Sequence, residues 1–340
     1  MSVVEILGTD TGKGNLLGIQ PVMAVVDYRN ADSFYRKLAA YLDEARANGL
    51  VGAKTVVIFP EYLATWLVVA GEPEGVYRAA ALQGGMQVLI LANLARFVVQ
   101  FFGAKEKARV EASLFRLKAR KMAAIYSDVF SRLAQAYGVT IVGGSILLPE
   151  PAVVDGKVAA GRGALQNVSA VFRPDGGVEL ALVRKIYPIA AELPMLSGAA
   201  LEDLRVYATP AGRLGVLICA DSWYPEPYAR LRTQGVEILA VPSYINHAAA
   251  WEQPWLGYNG RAAPADCDPA DIGGLREGQA WKKYALAGRM AACGAKAGVN
   301  VFLQGQLWDM GADGRSVLVG GPAVLEAKTT ADTLMNVWLE

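Results

Sequence analysis

Three short segments carry the residue types from which a reaction could be built. Leu214-Gly-Val-Leu-Ile-Cys-Ala-Asp-Ser-Trp-Tyr-Pro-Glu226 places Cys219 directly after an apolar strand and before a helix started by proline. A sharp turn at a strand end presents one side chain near helix-terminal amides, which can lower a thiol pKa. Val56-Val-Ile-Phe-Pro-Glu61 and Val183-Arg-Lys-Ile-Tyr-Pro188 each run from an apolar stretch to an ionisable residue beside a proline. If an α/β sheet gathers these ends on one edge, Glu61, Lys185 and Cys219 meet. Glu61 can then take the thiol proton, Cys219 can attack a carbon and Lys185 can hold a developing oxyanion.

Histidine is nearly excluded from this chemistry, because His247 is the only one in the chain. Any Ser-His-Asp triad, Cys-His dyad or multi-histidine metal site would have to use it. It follows a strand in Tyr244-Ile-Asn-His247, where a structural or substrate-lining role is the simpler reading, so the base for Cys219 is expected to be a carboxylate. Taken alone, Cys219 could equally be a buried strand-end cysteine. Cys293, within a helical Ala-Ala-Cys-Gly-Ala-Lys segment, reads as a small core residue, and nothing around Cys267 resembles a strand-to-turn mount.

The elements that must position these residues are mixed along the chain. Asp32 to Asn48 is predicted as a helix, with Phe34, Leu38, Leu42 and Ala45 on one face, Asp32 as its cap and Gly49 as its stop. Strand Thr55 to Phe59 follows, then a long helical tract from Gly75 to Tyr137 and a strand from Val139 to Leu148. A hairpin is expected around Pro174-Asp-Gly-Gly177, joining Ala164–Arg173 to Val178–Ile186, and a second around Thr209-Pro-Ala-Gly-Arg213. After Cys219 come a helix from Pro225 to Gln234, strand Ile238 to Pro242, a helix from Gln279 to Lys296 stopped at Gly298, and strands at Val299–Gln304 and Ser316–Val319. No Pro/Ser-rich linker separates these elements, so one α/β domain with peripheral insertions is expected over residues 1–340. The irregular stretch from Trp251 to Glu277 is too long for a mere connector, and loops of that length often cover a site.

Composition limits the partners. In 340 residues, 33 Lys and Arg balance 32 Asp and Glu to a formal +1, with the two signs interspersed. No electrostatic footprint for nucleic acid results. Three scattered cysteines suit neither a disulfide framework nor a zinc cluster, and the N-terminus lacks the pattern of a signal peptide, so a cytoplasmic setting is expected. Gly8-Thr-Asp-Thr-Gly-Lys-Gly14 fails the phosphate-loop spacing and reads as a surface loop. The apolar run Met86 to Phe102 is interrupted by Asn93, Arg96 and Gln100 and is short for a span, so it is expected to be a packed helix, a subunit contact or a lid, with membrane-surface contact the alternative.

Together the segments Phe59-Pro-Glu61, Arg184-Lys185 followed by Pro188, and Cys219-Ala-Asp-Ser-Trp-Tyr-Pro-Glu226 resemble the carbon-nitrogen hydrolase (nitrilase) superfamily, whose catalytic triad is Glu-Lys-Cys. The order agrees, and the 34 residues from Lys185 to Cys219 are ordinary for it. The resemblance implies an αββα sandwich, four layers that often pair into an αββα-αββα homodimer or larger homo-oligomer, and no metal or organic cofactor. It implies Glu61, Lys185 and Cys219 as catalytic residues, and Glu192 as a second, positioning glutamate. Ala220 would lend a backbone N–H, with Asp221, Trp223 and Tyr187 as further supporting or substrate-positioning residues. The 124 residues from Glu61 to Lys185 exceed the family's usual gap, the excess being a helical insertion at about 71–120. Tyr187 stands where many members have histidine. Ala-Asp-Ser-Trp after the nucleophile is more like the amidase and N-carbamoyl amidase branches than the nitrilases. The expected reaction is therefore hydrolysis of a linear amide or N-carbamoyl amide, a small molecule, through a thioester. Nitrile hydrolysis and N-acyl transfer with the same triad are the alternatives.

Overall fold

The computed structural model describes residues 1–340. Its layering follows from the period-two alternation of short strands buried on both faces. In Thr55–Ile58, Val56 and Ile58 join one apolar core, whereas Val57 and the following Phe59 join another. Ile238–Ser243 repeats the pattern, with Ile238 and Ala240 on one side and Leu239 and Val241 on the other. Each strand therefore lies between two layers.

The first sheet has the order Val3–Leu7, Thr333–Trp338, Asn15–Gln20, Thr55–Ile58, Thr140–Val142 and Val171–Phe172. Asn15–Gln20, Thr55–Ile58 and Thr140–Val142 run parallel, in the register Leu16 to Val56 and Val57 to Ile141. The second sheet has the order Val206–Thr209, Gly212–Val216, Ile238–Ser243, Ala297–Phe302, Val317–Gly320 and Ala323–Glu326, its second to fourth strands parallel. Between the sheets lies a core that includes Leu16, Ile58 and Met335 from the first and Leu214, Ala240 and Val299 from the second. Helices Ala31–Ala47 and Arg109–Tyr137 cover the outer face of the first sheet, and helices Pro225–Thr233 and Leu286–Cys293 that of the second. This is the αββα sandwich expected from the sequence. A Cβ on Gly18 would lie 2.6 Å from Val299 Cγ1 and 2.8 Å from Val301 Cγ2, so this glycine sets how closely the sheets approach.

Several boundaries differ from the sequence expectation for local reasons. Helix Ala31–Ala47 is capped by Asn30, whose Oδ1 accepts from Ser33 N–H at 2.8 Å. Asp32 instead lies in the first turn, where its charge suits the helix dipole. The long helical tract is four helices, Glu74–Arg78, Leu82–Ala92, Leu94–Gly103 and Arg109–Tyr137. Asn93 breaks it: its amide donates to Leu89 O and Glu72 and accepts from Lys118, and the helices on either side cross at 103°. No single helix is long and apolar enough to cross a membrane, although this bent pair has the composition of a broken span. The helix expected over Gln279–Lys296 is two, Glu277–Tyr284 and Leu286–Cys293, stopped by left-handed Gly294, while Gly298 belongs to strand Ala297–Phe302.

The strand expected over Val139–Leu148 is also two, Thr140–Val142 and Ile146–Pro149. At Gly144, with φ +61°, the chain leaves the first sheet, and a Cβ there would lie 2.4 Å from Pro60 O. Ile146–Pro149 then pairs with Leu165–Ser169, which pairs in turn with Val183–Arg184 to make a third sheet. That sheet stands beside the turn carrying Glu61. The expected Pro174–Gly177 turn closes Phe172 onto Val178, and the second hairpin pairs Val206–Thr209 with Gly212–Val216.

Candidate active site

Each chemistry-bearing residue leaves a strand at a constrained turn. Glu61 follows Thr55–Ile58, and the next residue, Tyr62, has φ +61° and donates its N–H to Ser145 Oγ at 2.8 Å. Lys185 directly follows Val183–Arg184, its N–H donating to Asn167 O at 2.9 Å. Cys219 begins the 3-10 turn Cys219–Trp223 with φ +49°, a left-handed conformation that costs energy for any residue but glycine. Ser222 Oγ donates to Cys219 O at 2.7 Å and helps to hold this turn.

The structure brings Glu61, Lys185, Cys219 and Glu192 together. Lys185 Nζ lies 2.7 Å from Glu61 Oε1 and 2.8 Å from Glu192 Oε1, with all three residues buried. Asn167 Nδ2 donates to Glu61 Oε1 at 2.9 Å, Tyr62 OH donates to Glu192 Oε1, and Ile189 N–H donates to Glu192 Oε2 at 2.8 Å. Burial, opposed by the Lys185 charge and assisted by Glu192, lifts the Glu61 carboxyl from 4.5 to about 7. For Lys185, burial works against the ammonium, but the Glu61 and Glu192 carboxylates outweigh it and hold the pKa well above its ordinary value.

Burial and then the Glu61 charge push the Cys219 thiol well above its usual range. This reverses the expectation that helix-terminal amides would lower it. A cysteine here must lose its proton to a neighbouring base before it can act as a nucleophile. Its Sγ lies 4.0 Å from Tyr244 O, and Glu61, Lys185 and Glu192 all bear on its charge.

The remaining sequence candidates surround this group at different depths. Asp221 lies behind it and accepts from Ile186 N–H at 3.0 Å and Tyr187 N–H at 2.8 Å. It thereby ties the turn after Cys219 to the strand end at Lys185. Burial raises its carboxyl to about 7 against those two amides. Ala220, buried, is adjacent to Cys219. The Trp223 ring packs into an aromatic cluster with Trp255 and Trp281, at centroid distances of 5.6 and 4.8 Å. The Tyr187 ring lies 4.6 Å from that of Tyr224, with the Arg261 guanidinium 4.5 Å above Tyr187. The long stretch after Trp251 supplies Arg261, as well as Asn259, which accepts from Ala190 N–H at 3.0 Å. It is tied to the turn that bears Glu192. His247 is exposed.

Tyr62, Asn167 and Tyr244 were not singled out in the sequence. Tyr62 adjoins Glu61, but no pattern marks Asn167, which reaches Glu61 only because its strand pairs beside Lys185. Cys293 is buried and packs in the outer core of the second sheet. The Gly8–Gly14 segment joins Val3–Leu7 to Asn15–Gln20, and a Cβ on Gly14 would lie 2.3 Å from Lys54 O, so this glycine permits close strand approach. No group of three or more His, Cys, Asp or Glu side chains is arranged to hold a metal ion.

Comparison with known proteins points the same way as this geometry. "Probable hydrolase YhcX" of Bacillus subtilis is 29% identical over 117 residues, which are 34% of this chain and 20% of that protein. "Omega-amidase NIT2" of Danio rerio is 31% identical over 150 residues, 41% of this chain and 49% of that protein. The matches thus span a fifth to a half of these relatives' own lengths. Among solved structures, a glutamate-to-glutamine mutant of the amidase from Nesterenkonia sp. AN1, with an acetamide moiety added covalently at its active-site cysteine, superposes with a TM-score of 0.54. It is 16% identical, with 97% of this chain and 92% of that chain covered, and the likeness is one of fold. The carbon-nitrogen hydrolase family model matches residues 18–267, well over half of the sequence, and the chain belongs to that family of enzymes.

Proposed function

We propose that the protein hydrolyses a linear amide or N-carbamoyl amide through a thioester on Cys219. The reading is carried by one observation, the buried Lys185 ammonium bridging Glu61 and Glu192 beside the left-handed Cys219. The amidase names of the relatives support the choice of an amide.

In this mechanism Glu61 removes the thiol proton as Sγ bonds to the amide carbon. Negative charge then develops on the carbonyl oxygen. An ammonium has three N–H donors, and two of those on Lys185 are engaged by Glu61 and Glu192. The third serves the oxyanion, together with the backbone N–H of Ala220. Removal of one such donor costs about 3 kcal/mol of barrier in well-characterised hydrolases. Glu61 next passes its proton to the amine as the C–N bond breaks, leaving the acyl group on sulfur. A water molecule, deprotonated by Glu61, attacks the thioester; the C–S bond breaks and the thiol regains the proton. Glu192, held by Tyr62 and Ile189, keeps Lys185 in place throughout.

The test is ammonia release from matched panels of linear amides, N-carbamoyl amides and nitriles, with Cys219→Ala as the control. Turnover of amides or carbamoyl amides in preference to nitriles, abolished in a folded Cys219→Ala protein, is expected. Retained turnover in that variant contradicts the mechanism, and preference for nitriles contradicts the substrate class.

A further inference from the structure

The insertion after Glu61 concentrates positive charge in an otherwise acidic molecule. From Gly71 to Arg120 there are eight Lys and Arg against four Glu, a local +4 within a chain of formal +1, so the rest sums to −3. Much of that charge borders one open cavity of about 1250 Å³, bounded by helix Leu94–Gly103, the start of Arg109–Tyr137, the 160–164 turn and the 193–197 segment. None of Glu61, Lys185 or Cys219 lines it.

Arg96, Lys105, Lys107, Arg120 and Arg162 line this cavity, and none of them is paired with a carboxylate. Glu106 is its one acidic residue and is committed to Arg116. Arg116 also donates to Arg162 O at 3.1 Å, yet its Nε is buried without a partner. A concave surface with this imbalance focuses a positive field. Its other wall is apolar, formed by Val99, Leu117, Leu193 and Met195. Val99, which lines it, is 69% exposed, and Phe102, next to the lining Gly103, is 80% exposed; contiguous exposed apolar surface of this kind marks interaction sites.

We infer that this cavity binds an anionic amphiphile, a phosphate or carboxylate head joined to a hydrocarbon body. The unpaired cations take the head through charge-assisted hydrogen bonds, and the apolar wall takes the body. The cavity is linked through the chain to the turn that bears Glu192: Leu193–Ser197 follows it directly, and Leu196 N–H donates to Glu192 O at 2.8 Å. Ala108 N–H donates to Pro194 O at 3.0 Å and joins the insertion to that turn.

Calorimetric titration of the full chain with hexyl phosphate, 1-hexanol and inorganic phosphate tests the inference. Hexyl phosphate is expected to bind more tightly than either partial ligand, less so at high salt. The exposed double variant Lys105→Glu/Arg120→Glu should weaken it at least about tenfold, with an unchanged circular dichroism spectrum confirming the fold. Hexanol or inorganic phosphate binding as tightly as hexyl phosphate, or an unchanged affinity in the variant, overturns it. Flotation with phosphatidylglycerol vesicles separates the sources of the head. Retention lost in the same variant assigns it to a lipid, and no retention with hexyl phosphate binding intact assigns it to a free amphiphile; both results support the site.

Discussion

Replacing Lys185 with methionine removes a charge while nearly keeping the side-chain volume. The ammonium lies 2.7 Å from Glu61 and 2.8 Å from Glu192, and the side chains of Lys185, Glu61 and Glu192 are 2%, 1% and 8% exposed. Without it, two carboxyl groups face each other with only the neutral donors of Asn167, Tyr62 and a backbone amide around them. Stranding a buried charge costs about 3–5 kcal/mol when the group stays ionised. Here the stranded pair can bind a proton instead. Burial already raises Glu61 to about 7 while Lys185 pulls it down, so removal of Lys185 lifts it further. A carboxyl whose folded pKa is raised contributes stability that is fully present below its unfolded value and is lost as pH rises toward the folded one. The variant should therefore approach its parent at low pH and fall behind as pH climbs past 7. Once the parent's Glu61 has ionised, the extra proton held by the folded variant widens the gap by about 1.4 kcal/mol per pH unit, or about 2 kcal/mol between roughly pH 7 and 9. Urea denaturation of both proteins at these two pH values measures it. A gap that does not change with pH would refute the reasoning. The double variant Lys185→Met/Glu192→Gln should recover most of the loss at the higher pH, because only one acid then remains.

The same carboxyl sets the pH dependence of the proposed reaction. Because Glu61 must be ionised to accept the thiol proton, kcat/KM should rise with pH through an acid limb centred near the Glu61 value of about 7; a profile flat from about pH 5 to 9 would exclude it as the base. Asn167→Ala removes a donor to the ionised form of Glu61. It should move that limb upward by up to about one unit and lower kcat/KM near neutrality by up to about fivefold, with the alkaline plateau less affected. An equal loss at every pH would assign Asn167 to packing alone.

What the sequence revealed depended on how locally each feature is encoded. Glu61, Lys185 and Cys219 each sit at the end of an apolar run, and the scarcity of histidine pointed to a carboxylate base. The αββα layering was legible through the family resemblance and is written in alternations such as Val56, Val57 and Ile58. Asn15–Gln20, near the centre of the first sheet, was missed, and the reason for its Gly18 lies in the folded chain, where Val299 and Val301 approach from the opposite sheet. Val3–Leu7 and Thr333–Trp338 were missed as well, their pairing being a contact across nearly the whole chain. Asn93 within an apolar run looked like a helix interior, because its bonds to Glu72 and Lys118 arise only in the folded chain. Asn167 was invisible for the same reason: its partner, Glu61, is 106 residues away. The elevated Cys219 thiol could not be read from a strand-to-turn pattern, since it depends on how deeply Glu61 and Cys219 are buried together.

The thioester itself is the most direct test of the account. Butyramide mixed with the protein, quenched in acid within a turnover and digested, should leave a peptide containing Cys219 heavier by the butyryl group less one hydrogen, and Glu61→Gln, which lacks the base that frees the thiol, should form none of it. Amide turnover with no acyl group on Cys219, or with the acyl group on Cys267 or Cys293, would contradict the central claim.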